Sequence, residues 1–140
     1  MNRRQLIIAG IILIPLSIIS SVFAGEHKFK DSIGLFNTLP EPRLIYPISD
    51  EIILTGKGFL EFRWWRDFIG VDHFVFKIYK GYNMYAPDLI YEQNLSSSAS
   101  SIKVKPELFD NGQVYTWSLM LVSLGGQKSD KSFSSFKVVK

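Results

Sequence analysis

The sequence predicts an all-β fold, a sandwich or small barrel of seven to eight short strands behind an N-terminal signal segment. Three observations carry this. Five runs alternate apolar and polar residues with a period of two, the pattern of strands with one face in a core. Clusters rich in Gly, Ser and Asn separate those runs and can turn the chain. No stretch of ten or more residues combines a 3.6 period with helix caps. Short strands divided by turns, in about 100 residues, make a sandwich or barrel.

The 140-residue chain opens on Met1 to Arg4, a positive start, followed by the apolar run Leu6 to Phe23 with Pro15 inside it. Val22-Phe23-Ala24 then sets small residues at the −3 and −1 positions of a cleavage site before Gly25. That order predicts a secretory signal at 1–24; the rival reading is an uncleaved membrane anchor, since a run of this length can just span a bilayer. Either reading places the rest outside the cytoplasm: periplasmic, extracellular or at the cell surface. Residues 25–41 are polar and mixed and read as an arm or linker, and 42–140 as the folded domain. Formal net charge is +3, but Arg3 and Arg4 leave with the leader, so 14 basic residues face 13 acidic ones, a balance of +1. That balance gives no support for nucleic-acid binding. With no cysteine, disulfides, thiolate metal sites, a cysteine nucleophile and a lipid-modified anchor are excluded.

Within the domain, weaker strands are expected at Leu44-Ile45-Tyr46 and Glu51 to Leu54. Gly58 to Trp64 puts Leu60, Phe62 and Trp64 on one face, with Glu61 and Arg63 on the other. Asp72 to Lys80 sets Phe74, Phe76 and Ile78 against His73, Val75, Lys77 and Tyr79. A weak strand at Leu89 to Glu92 follows, then Ser101 to Lys105 with Ile102 and Val104 inward. Val114 to Val122 directs Tyr115, Trp117, Leu119 and Leu121 to one side, and Ser135 to Lys140 closes with Phe136 and Val138. Turns are expected at Gly56 to Gly58, Lys80-Gly81, Ser96 to Ser101, Asp110 to Gly112 and Gly125-Gly126.

Several of these pieces occur in a telling order. Pro42 and Pro47 bracket a first strand, and Phe62-Arg63-Trp64 and His73 to Tyr79 follow. Then come Phe109-x-x-Gly112-x-x-Tyr115-x-Trp117 and Ser135-Phe136-Lys137-Val138. From about Pro42 to Val139 the chain thereby resembles a fibronectin type III domain of the exported bacterial kind, an immunoglobulin-like sandwich. The resemblance implies that Trp64 packs in the core and that Phe74 stands where the family usually has tyrosine. It also implies a tyrosine corner at Tyr115, whose buried hydroxyl must bond backbone before its strand. Departures are the apolar segment at 52–54, the long loop from Tyr82 to Asp88, and the lack of an Arg-Gly-Asp motif.

Reactive chemistry finds little support in the residues. His27 and His73 are the two histidines; the serines at 96–101 have no nucleophile-elbow context, and nothing in the sequence brings them to His73. No His, Cys or carboxylate spacing suits zinc, and Asp110-Asn111-Gly112 lacks the later carboxylates of a calcium loop. No catalytic, metal or cofactor-binding residue is therefore expected. Two groups are candidates for binding a partner or glycan. The first is Arg63, Trp65 and Arg66: if Trp64 points inward, Trp65 must point out or lie at the strand end. An exposed indole between guanidiniums can stack on a sugar or anchor a protein interface, whereas packing under the 67–71 loop is the structural alternative. The second is Tyr82, Tyr85 and Tyr91, in a segment with the Tyr, Asn and Gly of binding loops. The expected function is a non-catalytic, exported interaction module for an envelope or extracellular protein. The alternatives are a carbohydrate-binding module that uses Trp65 and the tyrosines, and an accessory domain of an envelope enzyme or secretion system.

Overall fold

The computed structural model describes residues 39–56 and 58–140; the expected leader at 1–24, most of the arm at 25–41, and Lys57 lie outside the described residues. Alternation in the sequence becomes eight strands: β1 (Leu44–Tyr46), β2 (Glu51–Ile53), β3 (Leu60–Trp64), β4 (Val71–Lys80), β5 (Leu89–Ser96), β6 (Ser101–Val104), β7 (Val114–Ser123) and β8 (Ser132–Val139). Single 3-10 turns at Ala86–Asp88 and Pro106–Leu108 lead into β5 and towards β7. The strands form a three-stranded sheet, β1-β3-β6, and a five-stranded sheet, β2-β8-β7-β4-β5. Every pairing is antiparallel except β2 with β8, which is parallel.

Because side chains alternate along a strand, the inner faces of both sheets are almost entirely apolar. Leu60, Phe62 and Trp64 of β3 oppose Phe74, Phe76 and Ile78 of β4 and Tyr115, Trp117, Leu119 and Leu121 of β7, all buried. Phe62 meets Phe76, Trp117 and Phe136 edge-on, with ring centroids 5.0, 5.1 and 5.5 Å apart, the arrangement that the charge distribution of aromatic rings favours. The polar atoms inside this core are mostly satisfied. Trp117 donates its indole N–H to the carbonyl of Pro47 at 2.8 Å. Trp64 differs: its indole nitrogen is buried with no acceptor among the described residues.

The tyrosine corner is present. The backbone N–H of Asp110 donates to the Tyr115 hydroxyl oxygen at 2.7 Å, and Phe109 packs edge-on against the Tyr115 ring at 5.1 Å. Between them Gly112 adopts a φ of +76°, a conformation that only glycine takes without strain, and donates its N–H to Val138 O at 2.7 Å.

Three points refine the expectations, two of them strand bounds that need correction. Tyr79, expected on the face of β4 opposite Phe76 and Ile78, is only 3% exposed yet stands outside the central core cluster, so that face too is covered at this point. Its partner on β7 is Thr116, itself buried, so consecutive residues of β4 are buried on opposite faces of the sheet. β5 runs on to Ser96 instead of stopping at Glu92: Glu92, Gln93 and Asn94 carry no apolar alternation, and it is the ladder to β4 that makes them a strand. Likewise β8 begins at Ser132, where serines are held by tertiary bonds. Ser134 Oγ accepts from Ser49 N at 3.1 Å, and Ser135 Oγ lies 2.7 Å from Thr116 Oγ1.

These contacts set the ranking of core substitutions. Tyr115→Phe strands the Asp110 amide and should cost about 1 to 3 kcal/mol in chemical denaturation. Trp117→Phe should destabilise more than Trp64→Phe, since the first leaves the Pro47 carbonyl unpaired and the second removes a donor that has no acceptor. Equal losses for the two tryptophans would contradict the bonding described.

Candidate functional site

Trp65 follows the last residue of β3 and continues its pairing with β1, donating its backbone N–H to Arg43 O at 3.0 Å. With Trp64 inward, alternation turns Trp65 to the solvent face of the three-stranded sheet, where it is 48% exposed. The guanidinium over its indole belongs to Arg43, 5.7 Å from the ring centroid, and not to Arg63 or Arg66. Arg63 lies instead over the ring of Tyr46 at 5.5 Å. Arg66 reaches across the end of the sandwich and donates to Ser98 O at 3.3 Å. Arg43 and Tyr46 escape a sequence reading because cross-strand neighbours are set by register, which alternation along one strand does not encode.

Beyond Trp65, the β3–β4 loop and the β7–β8 turn stand side by side, joined by a bond from Leu124 N to Gly70 O at 3.0 Å. Ile69 is 100% exposed and Leu124 75% exposed. Each apolar side chain sits beside a glycine of positive φ, or one residue from it, in a turn. An aliphatic residue adjoining Gly70 or the Gly125-Gly126 pair was the available signal for this end of the domain.

The three tyrosines do not form one surface with Trp65. Tyr82 and Tyr85 lie on the β4–β5 loop, at the end of the sandwich opposite Trp65, because β4 runs away from the β3–β4 loop towards Lys80. Both are exposed. The amide of Asn83 between them folds the loop itself: it donates to Lys80 O at 3.2 Å and accepts from Tyr85 N at 3.0 Å. Tyr91 pairs with Ile78 across β4 and β5 and so faces inward. Its ring packs edge-on against Phe76 at 5.9 Å, and its hydroxyl donates to Gln93 Oε1 at 2.6 Å. It lines a groove of about 520 Å³ on the open flank between β5 and β6, with Phe59, Val104 and Leu108 as apolar walls and Lys103 and Lys105 at the rim.

The register also brings together residues that the sequence left apart. His73 on β4 lies directly opposite Ser96 on β5, and His73 Nδ1 is 2.7 Å from Asp72 Oδ2. The order Asp, His, Ser invites comparison with a nucleophilic triad, which needs a base-to-nucleophile bond and a sheltered carboxylate. Here Ser96 Oγ bonds Ser98 Oγ at 2.7 Å, no bond joins it to His73, and the Asp72 side chain is more than half exposed. Among the described residues no group of three or more His, Cys, Asp or Glu is placed to hold a metal ion.

No protein-family model and no curated protein matches the chain. Solved structures do resemble it. A computer-redesigned β-sandwich protein has 12% identity and a TM-score of 0.54 over 74% of this chain and 98% of that one. The FN1–FN3 domains of chicken CNTN1 have 9% identity and a TM-score of 0.54, over 72% of this chain and 31% of that one. The spore cortex lytic enzyme SleM of Clostridium perfringens has 11% identity and a TM-score of 0.50, over 69% of this chain and 27% of that one. The chain thus spans less than a third of the last two. These likenesses define the fold as a fibronectin type III-like β-sandwich. A fold of this kind hosts many functions.

Tyr46 reports on the Arg63 contact. Burial raises its pKa above the ordinary tyrosine value, the Asp50 charge raises it further, and Arg63 opposes both. For an acid raised in the folded state, the associated stability is fully present below the unfolded value of about 10 and is lost as pH rises through the folded one. Arg63→Gln should therefore move Tyr46 ionisation still higher. The check is alkaline phenolate absorbance, measured as the difference between Arg63→Gln and the same variant carrying Tyr46→Phe. A downward shift would mean that the guanidinium does not face the ring.

Proposed function

We propose that the chain is a non-catalytic, exported interaction module of the cell envelope, which holds a protein partner through the loops at the Trp65 end of the sandwich. The observation that carries this is the pair of aliphatic side chains on bonded loops, Ile69 and Leu124, which face solvent at the end of the sandwich where β3 leads into β4. Burying one such side chain against a partner is worth about 1.5 to 3 kcal/mol, and neither makes a compensating contact with the domain core. The backbone bond between Leu124 and Gly70 holds the two tips together, so little ordering entropy is lost on docking. Export is supported by the leader pattern at 1–24. A carbohydrate reading that uses Trp65 and the loop tyrosines together is disfavoured, since Trp65 stands at the opposite end from Tyr82 and Tyr85.

Capture of envelope proteins by the full-length chain tests the proposal. Ile69→Ser with Leu124→Ser should reduce recovery of the principal captured protein by roughly tenfold or more, in line with losing two buried aliphatic contacts. Its melting temperature should stay close to that of the unaltered chain, because surface substitutions of this kind change stability by about 0.5 kcal/mol or less. Undiminished capture by the double variant would exclude these loop tips as the docking surface.

A further inference from the structure

We infer that the solvent face of the three-stranded sheet binds an acidic polysaccharide, an extended polymer carrying uronic-acid carboxylates. This face is separate from the apolar loop tips, and the inference does not depend on them. The β1–β3 register lays out two rows on it. In the first, Arg43 on the β1 side opposes Trp65, with the guanidinium 5.7 Å from the indole centroid. In the second the roles exchange: Tyr46 on β1 opposes Arg63 on β3, at 5.5 Å. A path along either strand, or across the pair, therefore passes from cation to ring. Lys103 extends the face on β6, opposite Glu61, and Arg66 follows Trp65 at its end. Among the described residues no carboxylate lies within ion-pair distance of Arg43, Arg63, Arg66 or Lys103, so although Glu41, Glu61, Asp50 and Asp67 lie near in sequence or across the strands, the four cations keep their donors unpaired by any carboxylate.

Each feature answers a requirement of such a ligand. A guanidinium laid on a ring keeps its edge N–H donors free, and those donors match a carboxylate in a two-bond fork. The ring beneath it restricts the side chain beforehand, so less rotamer freedom is lost on binding. Trp65 leaves about half of its surface open, area on which the C–H face of a sugar can stack. The strands present these groups on an open pleated surface, which suits a polymer lying across it. Net charge is only +3 over the full chain and +1 over residues 25–140, so bulk attraction for any polyanion is weak and the local arrangement has to select the ligand.

The test is affinity electrophoresis of the full-length protein through gels containing polygalacturonate, at low salt. Parallel gels contain the same polymer fully methyl-esterified, and single-stranded DNA serves as a competitor. The expected result is retardation by the acid form alone. Retardation should weaken about tenfold or more in the Arg43→Gln/Arg63→Gln variant, and likewise when ionic strength rises to about 0.5 M. Lys128→Gln/Lys137→Gln, exposed away from this face, should bind like the unaltered chain. Should the arginine variant lose its fold by melting temperature, Arg66→Gln/Lys103→Gln takes its place, both positions being exposed. Four results would each overturn the inference: no retardation by polygalacturonate, equal retardation by the esterified polymer, wild-type binding by the arginine variants, or displacement by DNA as effective as by free polygalacturonate.

Discussion

The ring of Phe62 is the contact on which both sheets depend. It comes from the middle strand of the smaller sheet and reaches rings from three neighbouring strands of the larger one, Phe76 on β4, Trp117 on β7 and Phe136 on β8. A two-layer fold is stable only if its inner faces interdigitate to interior density, and Phe62 locks the relative position of the layers at their centre. The same alternation that drives Phe62 inward obliges Arg63 to face out. It also puts Trp64 inside and Trp65 on the surface. The inward core residues and the outward Arg63 and Trp65 thus follow from one alternation through β3 and the residue after it.

Around that centre, the places where the chain turns or changes sheet are fixed by single hydrogen bonds from buried or half-buried groups. The indole of Trp117 holds the carbonyl of Pro47, where the chain leaves the smaller sheet for the larger. The hydroxyl of Thr116 donates to Gly81 O, at the end of β4. Tyr115 secures the entry to β7 through the Asp110 amide. In a domain without disulfides, these bonds specify where each loop begins, and the loops between them are free to carry exposed residues such as Ile69, Leu124 and Tyr82.

Much of this was legible in the sequence. The alternation at Leu60 to Trp64 and at Val114 to Val122 gave the inward faces correctly, and the spacing from Phe109 through Gly112 to Tyr115 pointed to the corner that is found. What stayed hidden depends on pairing. Nothing local to Trp65 says that Arg43 will be its neighbour, and nothing local to Tyr91 says that its partner Ile78 will draw it inward. β5 beyond Glu92 is a strand because β4 supplies hydrogen bonds, not because Gln93 and Asn94 favour one. Ile69 and Leu124 were passed over because a lone apolar residue in a turn has no periodicity to mark it.

The parallel pairing of β2 with β8 has a mechanical consequence. The two strands lie side by side through Lys137 N to Asp50 O and Leu54 N to Val139 O, at 3.0 and 2.8 Å. A pull applied at Glu51 and at Val139 would drag β2 backward and β8 forward along their shared axis. The hydrogen bonds between them then bear the load together, in shear, and must break at once instead of opening one after another like a zip. Pairing of this kind resists stretching best along the shared axis of β2 and β8.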